Sequence, residues 1–254
     1  MQYENVRPAL FRSRPNRFIA KVEIDGQEET VHVKNTGRCH ELLIPGRTVW
    51  LEESSNPSRK TRYDLIAVDK DGLLVNMDAQ APNKVFAEWA QGGNFVPGMT
   101  LLRPETTWGK SRFDFYWEAG VRKGFVEVKG CTLEDGGFCR FPDAPTERGV
   151  KHLNELVSCM AEGYEAAVCF VIQMEGMQSF SPNDATHTAF GDALRAASEA
   201  GVQVLAVECH VEPDRLEITH FIPVVLQRFR LQTASSIAGY ASLTRRKAGT
   251  HLIP

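Results

Sequence analysis

The sequence predicts a mixed α/β chain in two parts, a small β-barrel over residues 1–81 and a layered α/β domain over residues 82–227, followed by a basic tail, 228–254. Three observations carry this reading. The first third holds short β-branched runs broken by Gly and Pro, with no helical period. From Pro82 onward the order becomes helix, three strands, helix and strand, with the last strand apolar almost throughout. After Glu217 no acidic residue occurs, while Arg228, Arg230, Arg245, Arg246 and Lys247 follow.

Composition sets the bounds. A chain of 254 residues with 43% hydrophobic content can bury one large core or two small ones. It has no apolar run of ~18 residues, so no membrane span is expected. The N-terminal MQYENVRPALFRSRPNRF lacks the apolar centre of a secretion signal. The six cysteines form no C-x-x-C pair and fit no zinc spacing. Free thiols in a reducing cytoplasm are therefore expected. The net charge of −3 announces no nucleic-acid partner by itself.

The barrel elements read in order as IAKVEI (19–24), TVHVK (30–34), TVWLEE (48–53), YDLIAVD (63–69) and LLVNMD (73–78). Asp25-Gly26 and Lys70-Asp71-Gly72 supply turns. Five such strands suggest an OB-like barrel. Loop 54–62 carries Arg59, Lys60 and Arg62, and further cations stand at Arg12, Arg14, Arg17 and Arg38. These are either ordinary solvated loops or a grip on a nucleic-acid backbone.

In the second part, Pro82 and Asn83 open a helix that Gly92-Gly93 ends, with Val85, Phe86 and Trp89 as its buried stripe and Glu88 as its notable acid. Residues 99–108 read as a strand, 133–145 as a loop, and 146–163 as a helix with the stripe Val150, Leu153, Val157 and Met160. A buried strand (166–173), a helix (185–200) and strands 202–211 and 216–226 complete the domain.

Between these elements lies SRFDFYWEAGVRKGFVEVKGC (111–131), which reads as a β-hairpin. Alternation places Phe113, Phe115 and Trp117 on one face of its first strand, and Val126 and Val128 on one face of its second. The other faces carry Arg112, Asp114, Glu127 and Lys129. Folding about the Gly120–Val121 bond sets Asp114 opposite Glu127 and Arg112 opposite Lys129. Opposed Cβ atoms lie roughly 4.5–5.5 Å apart, so two carboxylates there need a compensating cation. Lys129, Arg112 or a metal can supply it, unless this is simply the solvated side of the ribbon.

The order Asp, gap, Glu-x-Lys on apolar strands resembles the motif of the PD-(D/E)xK nuclease superfamily. The wider chain resembles the sugar fermentation stimulation protein A family. The matching stretches are NRFIAKV (16–22), NTGRCHELLIPG (35–46), VWLEESSNPSRKTRYDL (49–65), SRFDF (111–115), FVEVKGCTL (125–133) and FPDAPTERGVKHLNEL (141–156). This resemblance implies an N-terminal OB-like domain, a restriction-endonuclease-like domain of mixed sheet flanked by helices, and DNA binding. The sequence departs from the family pattern at Cys39-His40, at Gln173-Met174, where a phosphate-contacting Arg is often found, and in its extra tail.

The expected activity is a Mg²⁺-dependent (or Mn²⁺-dependent) phosphodiesterase. Asp114, Glu127 and the backbone carbonyl of Val128 are expected to hold the ion, which suits hard oxygen ligands. Lys129 is expected to orient or help deprotonate a water, and Glu88 to hold another. Lys110, Arg112 and Lys151 are expected to meet phosphate alongside Arg59, Lys60 and Arg62. The partner is nucleic acid, DNA before RNA, bound with little sequence preference. The alternative is a non-catalytic DNA-binding regulator of sugar (maltose) metabolism that uses the nuclease fold as scaffold. A metabolite sensor rests on the family name alone, because no phosphate-cradling Gly loop is present.

Overall fold

The computed structural model describes residues 1–35 and 37–228. The basic tail beyond Arg228, with Arg230, Arg245, Arg246 and Lys247, lies outside the described residues. Strands β1 (Val6–Asn16), β2 (Ile19–Ile24), β3 (Gln27–Val33), β4 (Thr48–Glu53), β5 (Tyr63–Lys70) and β6 (Leu73–Asn76) form one sheet in the order β3-β2-β1-β4-β5-β6. A parallel pairing of β3 with β5, His32 to Asp64 and Val33 to Leu65, closes the first five strands into the OB barrel. Alternation then fills it: Ala20, Val22 and Ile24 of β2 point inward between polar neighbours.

The sequence reading missed β1, the longest barrel strand. Pro8 and Pro15 argue against a strand, and only Ala9 and Phe11 of its residues are buried. The structure resolves the conflict by sharing β1 between two partners. Val6–Leu10 pairs with β4 and Leu10–Asn16 with β2, so Pro8 needs no second ladder bond.

The second part begins with α1 (Ala81–Trp89), extended by a π turn over Ala90–Asn94. Then come β7 (Leu101–Trp108), β8 (Ser111–Ala119), β9 (Arg122–Cys131), β10 (Leu133–Asp135), β11 (Phe138–Phe141), α2 (Glu147–Met160), β12 (Glu165–Ile172), β13 (Ser179–Pro182), α3 (Asp184–Glu199), β14 (Gln203–Glu212) and β15 (Arg215–Phe221). The main sheet runs β15-β14-β12-β9-β8-β7. Its β9, β12 and β14 are parallel and its outer pairs antiparallel, a mixed sheet with α1 on one face and α2 and α3 on the other. Strand β12 is buried along nearly its whole length, as an apolar run between two helical layers must be.

Three further expectations are corrected. The 133–145 segment is partly strand: β10 and β11 form a hairpin around Gly136-Gly137, and β11 pairs with β13. Trp89 is only partly buried, while Val85 and Phe86 fill the core as expected. Helix α2 buries Gly149, His152, Leu153, Leu156 and Cys159, and leaves Val150, Val157 and Met160 partly covered. Two stripes of the same 3-4-3 spacing lie one residue apart on this helix, Val150-Leu153-Val157-Met160 and Gly149-His152-Leu156-Cys159, and the Gly and His of the second hide it from a search for apolar periodicity. Close approach of α3 makes the choice: a Cβ on Gly149 would stand 3.1 Å from the ring of Phe190.

One core cluster runs from the barrel interior into the α2–α3 side of the sheet, and a second fills the α1 side. The two parts also share polar bonds. Gln173 Nε2 donates to Asn76 Oδ1 (2.9 Å) and to the carbonyl of Asp78 (3.1 Å), all buried at the junction. Met174 is fully buried beside it. All six cysteines are buried and unpaired. No helix among the described residues is long and apolar enough to cross a membrane.

Candidate metal and nucleic-acid site

The hairpin folds as its symmetry predicts up to a point. Phe115 faces Val126, Tyr116 faces Phe125, and the pairing continues to Ala119 and Arg122 around Gly120, whose φ of 62° suits a two-residue turn. The pairing ends at Phe115. Asp114 and Glu127 do not form the expected cross-strand pair, nor do Arg112 and Lys129. Instead the Val128 N–H donates to Asp114 Oδ2 at 2.8 Å, so a side-chain carboxylate stands in for a strand carbonyl. Alternation breaks at the same place. Phe115 packs on Phe86 of α1, while Phe113 packs on Phe125 and against His152 of α2. The expectation that Phe113, Phe115 and Trp117 share one face is therefore corrected at Phe113.

This break places two carboxylates beside Val128 in different company. Asp114 Oδ1 accepts from Asn83 Nδ2 of α1 at 2.9 Å. Glu127 is 2% exposed, and its Oε1 takes both Lys129 Nζ and His152 Nδ1, the latter at 2.5 Å. Its Oε2 is buried and has no hydrogen-bond partner among the described residues. A buried oxygen without a donor costs roughly 1–3 kcal/mol, and more when the group is charged. In β geometry the N–H and C=O of one residue point the same way, so the Val128 carbonyl opens toward the side where Asp114 lies.

The electrostatics are divided between the two acids. Burial first, and then the charge of Glu127, raise Asp114 above the usual carboxylate range, against the pull of Lys129 and of its two donors. Burial pushes Glu127 up as well, but the His152 hydrogen bond and Lys129 outweigh it and hold its carboxyl below the ordinary value. The donor set of two carboxylates and a backbone carbonyl fits a hard divalent cation, and the orphaned Glu127 oxygen is free to meet it. No group of three or more His, Cys, Asp or Glu side chains with metal-binding geometry occurs among the described residues.

Beside this pair, Lys110, Arg112 and Lys151 converge on one cavity of about 480 Å³. Arg148 and His152 of α2 line it with them. Two of them make loose ion pairs: exposed Arg112 lies 3.4 Å from exposed Glu105, and exposed Lys151 lies 3.7 Å from part-buried Glu155. Such pairs are worth little in water and yield easily to phosphate.

The other expected cations behave differently. Arg59 forks onto buried Asp64 through two bonds of 2.8 and 2.6 Å, and Arg62 Nε donates to Glu53 at 2.7 Å. Both are occupied within the barrel, and Lys60 alone of the three is exposed without such an ion pair among the described residues. Glu88 is not among the groups gathered at the acid pair. It is exposed, and it binds the Met1 amine at 2.6 Å. Asn83, not Glu88, is the α1 residue that reaches Asp114. Sequence reasoning missed Asn83, Arg148 and His152, though the last two stand inside the TERG-x-KHL block that carries the family resemblance.

Fold and site together define a class: an OB barrel joined to a nuclease-like mixed α/β domain. Comparison with known proteins agrees. The "SfsA N-terminal OB domain" family matches residues 13–77, and the "Sugar fermentation stimulation protein RE domain" family matches residues 80–215. The sugar fermentation stimulation protein homolog of Desulfitobacterium hafniense (strain Y51) is 59% identical over 226 residues, covering 89% of this chain and 99% of that one. That of Clostridium beijerinckii is 54% identical over 226 residues, covering 89% and 100%. A solved structure of Pyrococcus furiosus SfsA in complex with Ca²⁺ matches with a TM-score of 0.81 at 28% identity, covering 89% of this chain and 98% of that one. The chain belongs to the sugar fermentation stimulation protein family.

Proposed function

We propose that the protein is a divalent-cation-dependent phosphodiesterase that binds nucleic acid, DNA before RNA, with little sequence preference. The observation that carries this reading is the buried, partnerless Oε2 of Glu127 beside the raised carboxyl of Asp114. Buried carboxylate oxygens in native proteins are nearly always hydrogen-bonded. The Pyrococcus furiosus relative was solved in complex with Ca²⁺, so a divalent cation is in keeping with this reading.

In this reading Asp114, Glu127 and the Val128 carbonyl hold Mg²⁺ or Mn²⁺. The ion supplies charge neutralisation at the phosphate and makes a nearby water more acidic. The remaining work belongs to the chain. Lys129 orients the attacking water. Lys110, Arg112, Arg148 and Lys151 fix the phosphates on the flank of the site, and Asn83 keeps Asp114 turned toward Val128. Water oxygen bonds to phosphorus, one ester P–O bond breaks, and the water proton ends on the leaving oxygen. Phosphate contacts position a strand without reading its sequence, hence the tolerance.

The second reading is a DNA-binding regulator in which the site is silent. The absence of a third side-chain ligand among the described residues favours it. Incubating pure protein with plasmid, single-stranded DNA and RNA, in Mg²⁺, Mn²⁺ or EDTA, separates the two. The phosphodiesterase reading expects metal-dependent cleavage by wild type that Asp114→Asn and Lys129→Ala abolish while DNA affinity persists. No cleavage by any form, with binding intact, gives the regulator; equal cleavage by wild type and Asp114→Asn removes Asp114 from the mechanism.

A further inference from the structure

Helix α2 places a buried histidine against the candidate ion site, and neither the motif nor the family match gives it a role. His152 is 5% exposed. Its ring stands edge-on to Phe113, with centroids 6.3 Å apart. Nδ1 lies 2.5 Å from Glu127 Oε1, and Nε2 receives Arg148 Nε at 3.3 Å. These contacts fix the tautomer. Arginine carries only donors, so Nε2 must be the acceptor. The ring hydrogen then sits on Nδ1 and is donated to Glu127.

We propose that His152 is the positioning residue of this site: by holding Glu127 Oε1, it turns the carboxylate so that Oε2 is presented to the divalent cation. The proposal rests on the reading of Asp114 and Glu127 as ion ligands. Three observations support it. Oε1 is doubly occupied, by His152 and Lys129, while Oε2 has no partner among the described residues although both belong to one buried group. The ring is locked on both edges and packed on Phe113, so it cannot swing away without opening the core. The face of α2 that is buried is the one that carries His152, with Gly149 allowing the close helix packing that sets this rotation. Ligating carboxylates are commonly held by such outer hydrogen bonds, whose loss lowers metal affinity about 10- to 100-fold.

Two substitutions separate the ring's two bonds. The Asn amide nitrogen falls where Nδ1 stands, and the Gln amide nitrogen falls where Nε2 stands. Calorimetric titration of the full-length protein with Ca²⁺ is expected to show wild type and His152→Asn within about threefold of each other. His152→Gln is expected to bind roughly 10- to 100-fold more weakly, with a melting temperature like that of His152→Asn. On wild-type protein, ¹⁵N NMR is expected to find the His152 ring protonated at Nδ1 and bare at Nε2, and saturating Ca²⁺ to move its signals but not those of His32. This measurement needs no variant to fold. If His152→Gln binds Ca²⁺ like wild type while Asp114→Asn does not, the positioning role is overturned and the ion site stands. An Nε2-protonated ring, or His152 signals that ignore Ca²⁺, overturns it equally. Wild type that binds no Ca²⁺ overturns both this inference and the reading beneath it.

Discussion

Two buried carboxylate sites, one in each part of the molecule, differ in how completely their charge is answered. In the barrel, Asp64 sits where β3 meets β5 and closes the sheet. It is met by both arms of Arg59, by His32 Nδ1 at 2.9 Å and by Lys34 at 3.4 Å. Burial alone would raise its pKa, yet these partners lower it from 3.8 to about 2. In the second domain, Asp114 and Glu127 share one Lys and one His, one oxygen is left without a partner among the described residues, and Asp114 is pushed up. A neutralised cluster holds a fold together. An under-neutralised one has room for a cation from outside, and that contrast is what the proposed function rests on.

The largest test of this contrast is deletion of each acid. Asp64→Ala strands Arg59 and Lys34 around an empty position and is expected to destabilise the protein by about 3–5 kcal/mol in urea unfolding. Asp114→Asn in metal-free buffer is expected to stay within about 1 kcal/mol of wild type, because a disfavoured charge is removed. Equal losses at the two positions would break the comparison.

The next effect is that of added cation. Ca²⁺ or Mg²⁺ at a hundred times its dissociation constant is expected to add about 2.7 kcal/mol to wild-type stability, since it binds only the native state. Glu127→Gln should lose that increment and Arg59→Ala should keep it. Thermal melts in EDTA and in excess Ca²⁺ report both.

Acid titration sharpens the sign. The folded pKa of Asp64 lies below its unfolded value, so its contribution is present above about pH 4 and lost as pH falls toward 2. That loss is on the order of 2 kcal/mol. Asp114 has the opposite sign. Its folded pKa is raised, so in metal-free protein stability falls as pH rises through that value. Unfolding free energies of wild type, Asp64→Asn and Asp114→Asn across acid pH should therefore diverge in opposite directions, and parallel curves would contradict the assignment.

The smallest effect separates cations that hold the barrel from cations free to meet phosphate. Replacing Lys110, Arg112 and Lys151 together by Ala is expected to weaken DNA binding. It should also flatten the plot of log affinity against log salt by about 2–3 units of slope. Arg59→Ala should change that slope by less than about 1 and appear instead as lost stability. A slope that follows Arg59 and ignores the cleft would move the interface back to the barrel loop.

The sequence by itself determined what depends on neighbours along the chain. Alternation and turn residues placed β2, β4 and β5 and set the hairpin register from Phe115 to Ala119. The order of Asp114, Glu127 and Lys129 with the matching blocks identified the family, and with it the barrel and the mixed sheet. Lys110, Arg112 and Lys151 were legible as cations placed to meet phosphate, but only the packing of α2 beside β8 brings them to one cavity. Tertiary structure decided the rest. Only barrel closure brings β3 beside β5, so only the fold sets His32 and Lys34 on Asp64 alongside Arg59. Only packing against α3 buries the stripe of α2 that carries Gly149 and His152 more deeply than the wholly apolar one beside it, and so places His152 on Glu127. Only the break in pairing past Phe115 turns Asp114 onto the Val128 N–H. Periodicity fixes which residues share a face of an element. Which partners that face meets is fixed by contacts between elements far apart in the chain, and a charge's role follows from its partner.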